Sequence, residues 1–469
     1  MDTNQFRKHG HEMVDWIADF MDNIEEYPVQ PDIEPGEIKA KLPEHAPQKG
    51  EEMEKIFKDF QNIILPGITQ WQHPCWFAYF PANNSPPSVL AEFLTAALGA
   101  QCMVWKTSPA AEELEEVTME WLRKMIGLPE GMAGVIQDSA STSTLVALIT
   151  AREKASNFQT NKKGFTEPYT VYCSEEAHSS VIKGAKIAGY GEDNIRLISA
   201  DENFAMKPEK LEEAIVEDVT NGLRPACVCA TLGTTSSAGV DPLEAIGKIC
   251  KKYNVWLHVD AAYAGTAAIL PEKRWIMKGI EYADSFVFNP HKWLLTNFDC
   301  SAYYVKDPKT LRKTFEIHPE YLKTGVDGKV NNYRDWGIQL GRRFRALKLW
   351  FVLRSYGVEG LQTMVREHIR LAQQLKQWIT DDQRFELMAP VDFSLVCFRL
   401  NPKNMTEKQL DNLNRKLLEA VNKTGKTMLT HTVLKGKYVI RFCIASRTTK
   451  EEHVKKTWKL VTTQAEKLL

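Results

Sequence analysis

Lys292 follows Phe286-Val287-Phe288-Asn289-Pro290-His291 and precedes Trp293, Leu294 and Leu295. Asp284 to Phe288 is a run of strand formers, and Pro290 cannot continue a ladder, so the lysine is expected just past a strand's carboxyl end. An amine in apolar surroundings loses proton affinity and becomes a nucleophile toward a carbonyl. Most lysines at such places are solvated surface charges, so the partners decide. Val255 to Val259 reads as a buried strand that delivers Asp260. An aspartate there ordinarily caps the next turn, and it also suits the protonated nitrogen of a pyridine ring. Gly134 to Gln137 leads into Asp138-Ser139-Ala140-Ser141-Thr142-Ser143-Thr144 and then a helix. That is an everyday serine-rich cap, and also a cradle for phosphate. Residues 169–173 deliver Glu175-Glu176-Ala177-His178, where a ligand ring could stack on the imidazole. No GxGxxG or Walker pattern points to a dinucleotide or ATP. Together, a lysine for an aldehyde, an acid for a ring nitrogen and an anion cradle describe pyridoxal phosphate as the cofactor.

These residues need a scaffold of strands. From about 85 to 345, strand patterns at 134–137, 169–173, 226–231, 255–259 and 284–288 alternate with helices at 112–126, 142–152 and 242–253. This is the pattern of a mostly parallel sheet covered by helices, whose ligands sit beyond the strands' carboxyl ends. Ahead of it, Met13, Trp16, Ile17, Phe20, Met21 and Ile24 recur at helical spacing, residues 28–47 read as a proline-rich linker, and a second amphipathic helix covers roughly 51–64. Such helices make an arm suited to packing on another subunit. Residues 71–81 carry Trp71, Trp76, Phe77, Tyr79 and Phe80, read either as a core strand or as a wall for a flat apolar ligand. Residues 323–333 look like a mobile loop, and a long helix spans 341–357. Helices 361–379 and 406–423, strands 393–399 and 437–443 and a helix from 450 make a smaller α+β unit. The expected division is an arm over 1–82, a large α/β domain over 83–346 and a small domain over 347–469.

Composition removes other classes. The net charge of −1 offers no reason for nucleic acid or an anionic membrane, and no apolar run reaches the ~20 residues of a membrane helix. The basic face of helix 341–357 reads as a solvated surface rather than a nucleic-acid stripe, given the neutral total. Lys8, Glu12, Asp15 and Asp19 interrupt any signal sequence. The nine cysteines are scattered without metal-ligand spacing, which suits a reducing cytosol, and Cys227 and Cys229 read as core.

The chain resembles the aromatic-L-amino-acid decarboxylases, a branch of the group II pyridoxal-phosphate decarboxylases. The resemblance runs end to end, through FAYFP (77–81), VIQDSAS (135–141), AHSS (177–180), ATLGTT (230–235), HVDAAYAG (258–265), FNPHKWLL (288–295), FDCSA (298–302), GRRFRALKLW (341–350) and LVCFRL (395–400). It implies the fold-type I, aspartate-aminotransferase-like architecture with a seven-stranded sheet, and a homodimer whose active sites lie at the subunit interface. By motif, Lys292 is implied to carry the cofactor, Asp260 to face its ring nitrogen and Ala262 to pack beneath it. Ala140, Ser141, Asn289 and Thr235 are implied at the phosphate, and His178 on the ring and at the substrate carboxylate. His291, Trp71, Tyr79, Phe80, Pro81, Ala82, Met103 and Ser355 are implied at the substrate, with Met103 and Val104 reaching the partner's pocket.

The implied reaction releases CO₂ from an aromatic amino acid (tyrosine, dopa, tryptophan or 5-hydroxytryptophan) and gives the arylalkylamine, with Tyr333 returning a proton to Cα. In the family, Tyr at position 333 and His at 178 accompany decarboxylation, whereas Phe at the first or Asn at the second accompanies oxidative deamination to aldehydes. Ala82 stands where Thr is usual, Asp138 where Gly is usual, and Met103 where an aromatic is usual. Ser355 leans the substrate toward tyrosine or dopa. An aldehyde synthase on the same scaffold is the nearest rival, an aminotransferase is further off, and a catalytically silent binding dimer is the non-enzymatic alternative.

Overall fold

The computed structural model describes residues 1–317 and 330–469. Of the expected loop, residues 323–329 lie outside the described residues.

The large sheet has seven strands: β1 (Ala133–Gln137), β2 (Tyr169–Ser174), β3 (Ile195–Ile198), β4 (Arg224–Thr231), β5 (Trp256–Asp260), β6 (Ser285–Phe288) and β7 (Ser301–Val305). Their spatial order is β1-β7-β6-β5-β4-β2-β3. The pairs β2/β3, β2/β4, β4/β5 and β5/β6 are parallel, and β7 runs antiparallel between β6 and β1. Helices cover both faces, so the central strands are buried on both sides and read as continuous apolar runs. Cys227 and Cys229 on β4 are wholly buried core, their sulfurs 3.9 Å apart. Two strands escaped the periodicity. β3 is a four-residue edge with a charged Arg196 inside it, and β7 follows an irregular segment with no turn signal before it.

The C-terminal part is a four-stranded antiparallel sheet in the order β10 (Thr430–Leu434), β11 (Lys437–Cys443), β9 (Leu395–Leu400), β8 (Phe385–Leu387). The helices Glu407–Asn422 and Glu451–Leu468 pack with it. The helix Arg345–Asp381 breaks at Gly357, which has φ 62° and ψ 173°, so the two expected helices are two segments meeting at a kink; the first starts at Arg345 rather than at 341, and the expected solvated basic face is not found, because Arg342, Arg345 and Lys348 are buried.

The aromatic stretch 71–81 is not a strand of the large sheet. Phe77 donates its N–H to the Met428 carbonyl at 3.0 Å and accepts at its own carbonyl from Cys443 N–H at 3.0 Å. Its ring lies 4.2 Å from that of Phe442. Residues 75–78 are therefore core of the C-terminal sheet.

At the N-terminus, the helix Thr3–Asp22 is capped by Asp2 and Gln5 reciprocally. Its Trp16 packs edge-on against Phe57 and Phe60 of the following helical stretch. The expected linker 28–47 contains a short helix, Glu37–Lys41.

Candidate active site

The carboxyl ends of β1, β2, β4, β5 and β6 surround a cavity of about 250 Å³. Ala140, Ser141, His178, Thr235, Asp260, Ala262, Asn289, His291 and Lys292 all line it, so every residue expected at the cofactor meets in one place. Also lining it are Ser139, Ser180, Thr231, Gly233, Tyr263 and Phe298, which sequence reasoning missed. All six sit inside the motifs already quoted, beside the residues chosen.

β6 ends at Phe288, and Pro290 opens a four-residue helix that carries Lys292. Burial lowers the Lys292 pKa and outweighs the attraction of the Asp260 charge. The amine lies 5.2 Å from the centre of the Phe80 ring. Asp260 is buried, and its Oδ1 accepts from Ala262 N–H at 3.0 Å. The capping role is thus real, and it leaves the second oxygen for a ligand.

The helix Ala140–Ala155 starts at the cavity, with Ser139 Oγ accepting from Thr142 N–H. Free N–H groups at such a start attract an anion. Asp138, awkward beside an anion on sequence grounds, accepts from the Ser139 hydroxyl at 3.3 Å, and Arg345 is held charged chiefly by its bond to Asp299 at 3.0 Å, with Asp138 a minor aid.

The loop after β4 closes the wall. Gly233 has φ 83°, and a Cβ there would meet the Ala264 Cβ at 2.5 Å, so only glycine fits. Asp241 holds this loop by accepting from Thr231 N–H and Met206 N–H, each at 2.7 Å, and burial pushes its carboxyl up to about 7.

Both histidines present a neutral ring. His178 Nδ1 accepts from Ser180 N–H at 3.2 Å, which leaves the ring proton on Nε2. Burial lowers its pKa, against the pull of Asp260. His291 Nδ1 accepts from Cys300 N–H at 2.8 Å, and burial, aided by the Lys292 charge, lowers its pKa to about 3.

Among the expected substrate residues, Phe80, His178 and His291 line the cavity and Trp71, Tyr79, Pro81, Ala82, Met103 and Ser355 do not. Trp71 and Tyr79 stack on each other at the surface, 5.8 Å apart. Ser355 is exposed on its helix. Met103 accepts at its carbonyl from Arg334 N–H, 2.9 Å away, beside Tyr333. Tyr333 itself is buried outside the cavity, its hydroxyl 3.5 Å from the Gly134 carbonyl and its ring packed on Trp336.

The residues fit pyridoxal phosphate. Thr231 Oγ1 and Asn289 Oδ1 are buried at the cavity with no hydrogen-bond partner, beside a helix start, a carboxylate and a lysine of lowered pKa. The family model of the pyridoxal-dependent decarboxylase conserved domain matches residues 35–401. The chain belongs to the pyridoxal-dependent decarboxylases. Among its relatives, the phenylacetaldehyde synthase of Arabidopsis thaliana is 46% identical over 100% of this chain and 97% of its own length. The tyrosine decarboxylase 2 of Narcissus pseudonarcissus is 46% identical over 100% and 95%. The Oryza sativa TDC solved with PLP and tryptamine superposes with a TM-score of 0.97 at 36% identity, covering 100% of this chain and 99% of that one. This decarboxylase thus has the fold-type I architecture of its neighbours, uses pyridoxal phosphate and is an enzyme of the aromatic-amino-acid decarboxylase kind. No helix of the described residues is long and apolar enough to cross a membrane.

Proposed function

We propose that this pyridoxal-dependent decarboxylase converts an aromatic L-amino acid to its arylalkylamine and CO₂, with tyrosine or dopa preferred to tryptophan. The observation that carries the reading is the single cavity holding Lys292, Asp260 and His178 under an aromatic wall, Phe80. When bound, the cofactor supplies an electrophilic carbon and an electron-withdrawing ring. Lys292, of lowered proton affinity, is the residue to hold that carbon, and Asp260 the one to keep a proton on the ring nitrogen. Ala140, Ser141, Asn289 and Thr235 would hold the phosphate, and Ala262 would pack against the ring. His178 offers its Nε2–H to the substrate carboxylate, and His291 and Phe80 bound the space for the aromatic group. Tyr333 returns the proton to Cα.

Trp71, Tyr79 and Ser355 lie outside the cavity of their own chain and are exposed, which suits a homodimer in which they serve a shared interface. The helix Pro86–Leu98 exposes Leu90, Phe93, Leu94 and Leu98 on one face, the kind of apolar patch a partner covers. We divide the chain into an arm over 1–82, a large domain over 83–346 and a small domain over 347–469. The nine buried, unbonded cysteines suit the cytoplasm.

The likeness to an aldehyde synthase supports a second reading, oxidative deamination on the same scaffold. One competition decides. Tyrosine, dopa, phenylalanine, tryptophan and 5-hydroxytryptophan are offered together, and CO₂, amine, aldehyde and ammonia are measured. Equal CO₂ and amine, from tyrosine or dopa first, is the expected result. Ammonia in step with CO₂ turns the reading to the synthase.

A further inference from the structure

A column of near-parallel rings runs from the cavity into the C-terminal part of the chain. Phe80, a cavity wall, stacks on Tyr263 with centres 4.0 Å apart and planes 14° apart, and Tyr263 stacks on Trp293 at 4.8 Å and 13°. The fourth ring, His368, is also 13° from the plane of Trp293, but its centre is 6.3 Å away. Trp293 Nε1–H donates to His368 Nδ1 at 2.9 Å. A small angle, a long centre separation and a short N–N distance mean that the indole and imidazole lie edge to edge in nearly one plane. Both are buried. Rotation of the indole within the stack would break this bond and leave its N–H in the core without an acceptor.

We infer that His368 is a positioning residue for Lys292, acting through Trp293 and the ring column; this rests on Lys292 being the residue that holds the cofactor. Lys292 and Trp293 are neighbours on the same four-residue helix. The Lys292 carbonyl accepts from Asn83 Nδ2 at 2.8 Å, so Asn83 and Trp293 between them fix its backbone. Its amine lies over Phe80, the other end of the column. The two ends of the Lys292 side chain are thus referenced to one rigid stack, and His368 sets that stack's rotation. Burial keeps His368 neutral, with its pKa down to about 4, and the Ser446 backbone favours the ring proton, so Nδ1 stays an acceptor.

The test uses the holoenzyme. Borohydride trapping first locates the cofactor; attachment elsewhere than Lys292 removes the premise without bearing on the column. His368→Phe keeps a ring and deletes the acceptor, His368→Gln keeps an acceptor, and Trp293→Phe deletes the donor. The readouts are the pH midpoint of the cofactor's visible absorption in the resting enzyme, kcat against KM, and Tm. His368→Phe is expected to move the midpoint and to lower kcat by about 10- to 100-fold with KM nearly unchanged. His368→Gln should restore most of both, and the double variant should be no worse than the poorer single one. A lower Tm with midpoint and kcat unmoved overturns the inference, as do multiplying effects in the double variant. If His368→Phe does not fold, an unmoved midpoint in both His368→Gln and Trp293→Phe overturns it equally.

Discussion

The Arg342 guanidinium lies 4.7 Å from the centre of the Tyr333 ring, while its Nη2 pairs with Glu115 at 2.6 Å. Both ions are buried. Arg342 therefore does two things at once: it neutralises a core carboxylate and pins the aromatic ring proposed to deliver a proton. Arg342→Met strands Glu115 and is expected to cost about 3–5 kcal/mol, read from urea unfolding. Adding Glu115→Leu should recover only part, because Glu115 also accepts from Ile136 N–H at 2.8 Å.

Glu112, one turn earlier on the same helix, is buried with neither carboxylate oxygen hydrogen-bonded. Burial raises its pKa from 4.5 to about 8, with Arg342 opposing and Glu115 adding to the rise. The folded chain thus binds more protons than the unfolded one between those values. The stability Glu112 contributes is full below the ordinary carboxylate pKa and is lost as pH rises toward about 8. Glu112→Gln should match the parent at pH 5 and exceed it by about 2–4 kcal/mol at pH 8, measured by denaturant melts at both. Equal pH slopes would show that Glu112 keeps an ordinary pKa.

Tyr333→Phe removes the hydroxyl and leaves a ring that still fits between Trp336 and Arg342. Product is expected to shift from amine toward aldehyde, with O₂ consumed and ammonia and hydrogen peroxide released, while CO₂ continues. An unchanged amine yield by chromatography would exclude Tyr333 as the proton donor.

Asp260→Asn keeps the turn-capping oxygen that serves Ala262 N–H and deletes the charge. With folding intact by circular dichroism, kcat should fall by about 10²–10³-fold. A variant within threefold of the parent would detach Asp260 from the chemistry.

The sheet was legible where strands are buried on both faces, as with Val228 to Ala230 and Phe286 to Phe288, because nothing polar interrupts them. The cavity was legible because each reacting group follows one of those strands. β8 and β10 were not: the first has three residues, and the second alternates inward Thr430 and Leu434 with an exposed His431 in place of a clear apolar face. His368 on an apolar helix face reads as an ordinary core histidine; only the indole facing it gives it a further meaning.

The Cys75 carbonyl accepts from the Thr427 hydroxyl at 2.9 Å, 352 residues along the chain. With Phe77 bonded to Met428 and Cys443, this fixes a schedule for the nascent polypeptide. Trp76 and Phe77 leave the ribosome long before Met428 and Cys443 and stay without their mates until those residues have been made. Through that interval they are sticky surface, which makes this stretch the natural foothold for a chaperone and the first place a prematurely terminated product would aggregate.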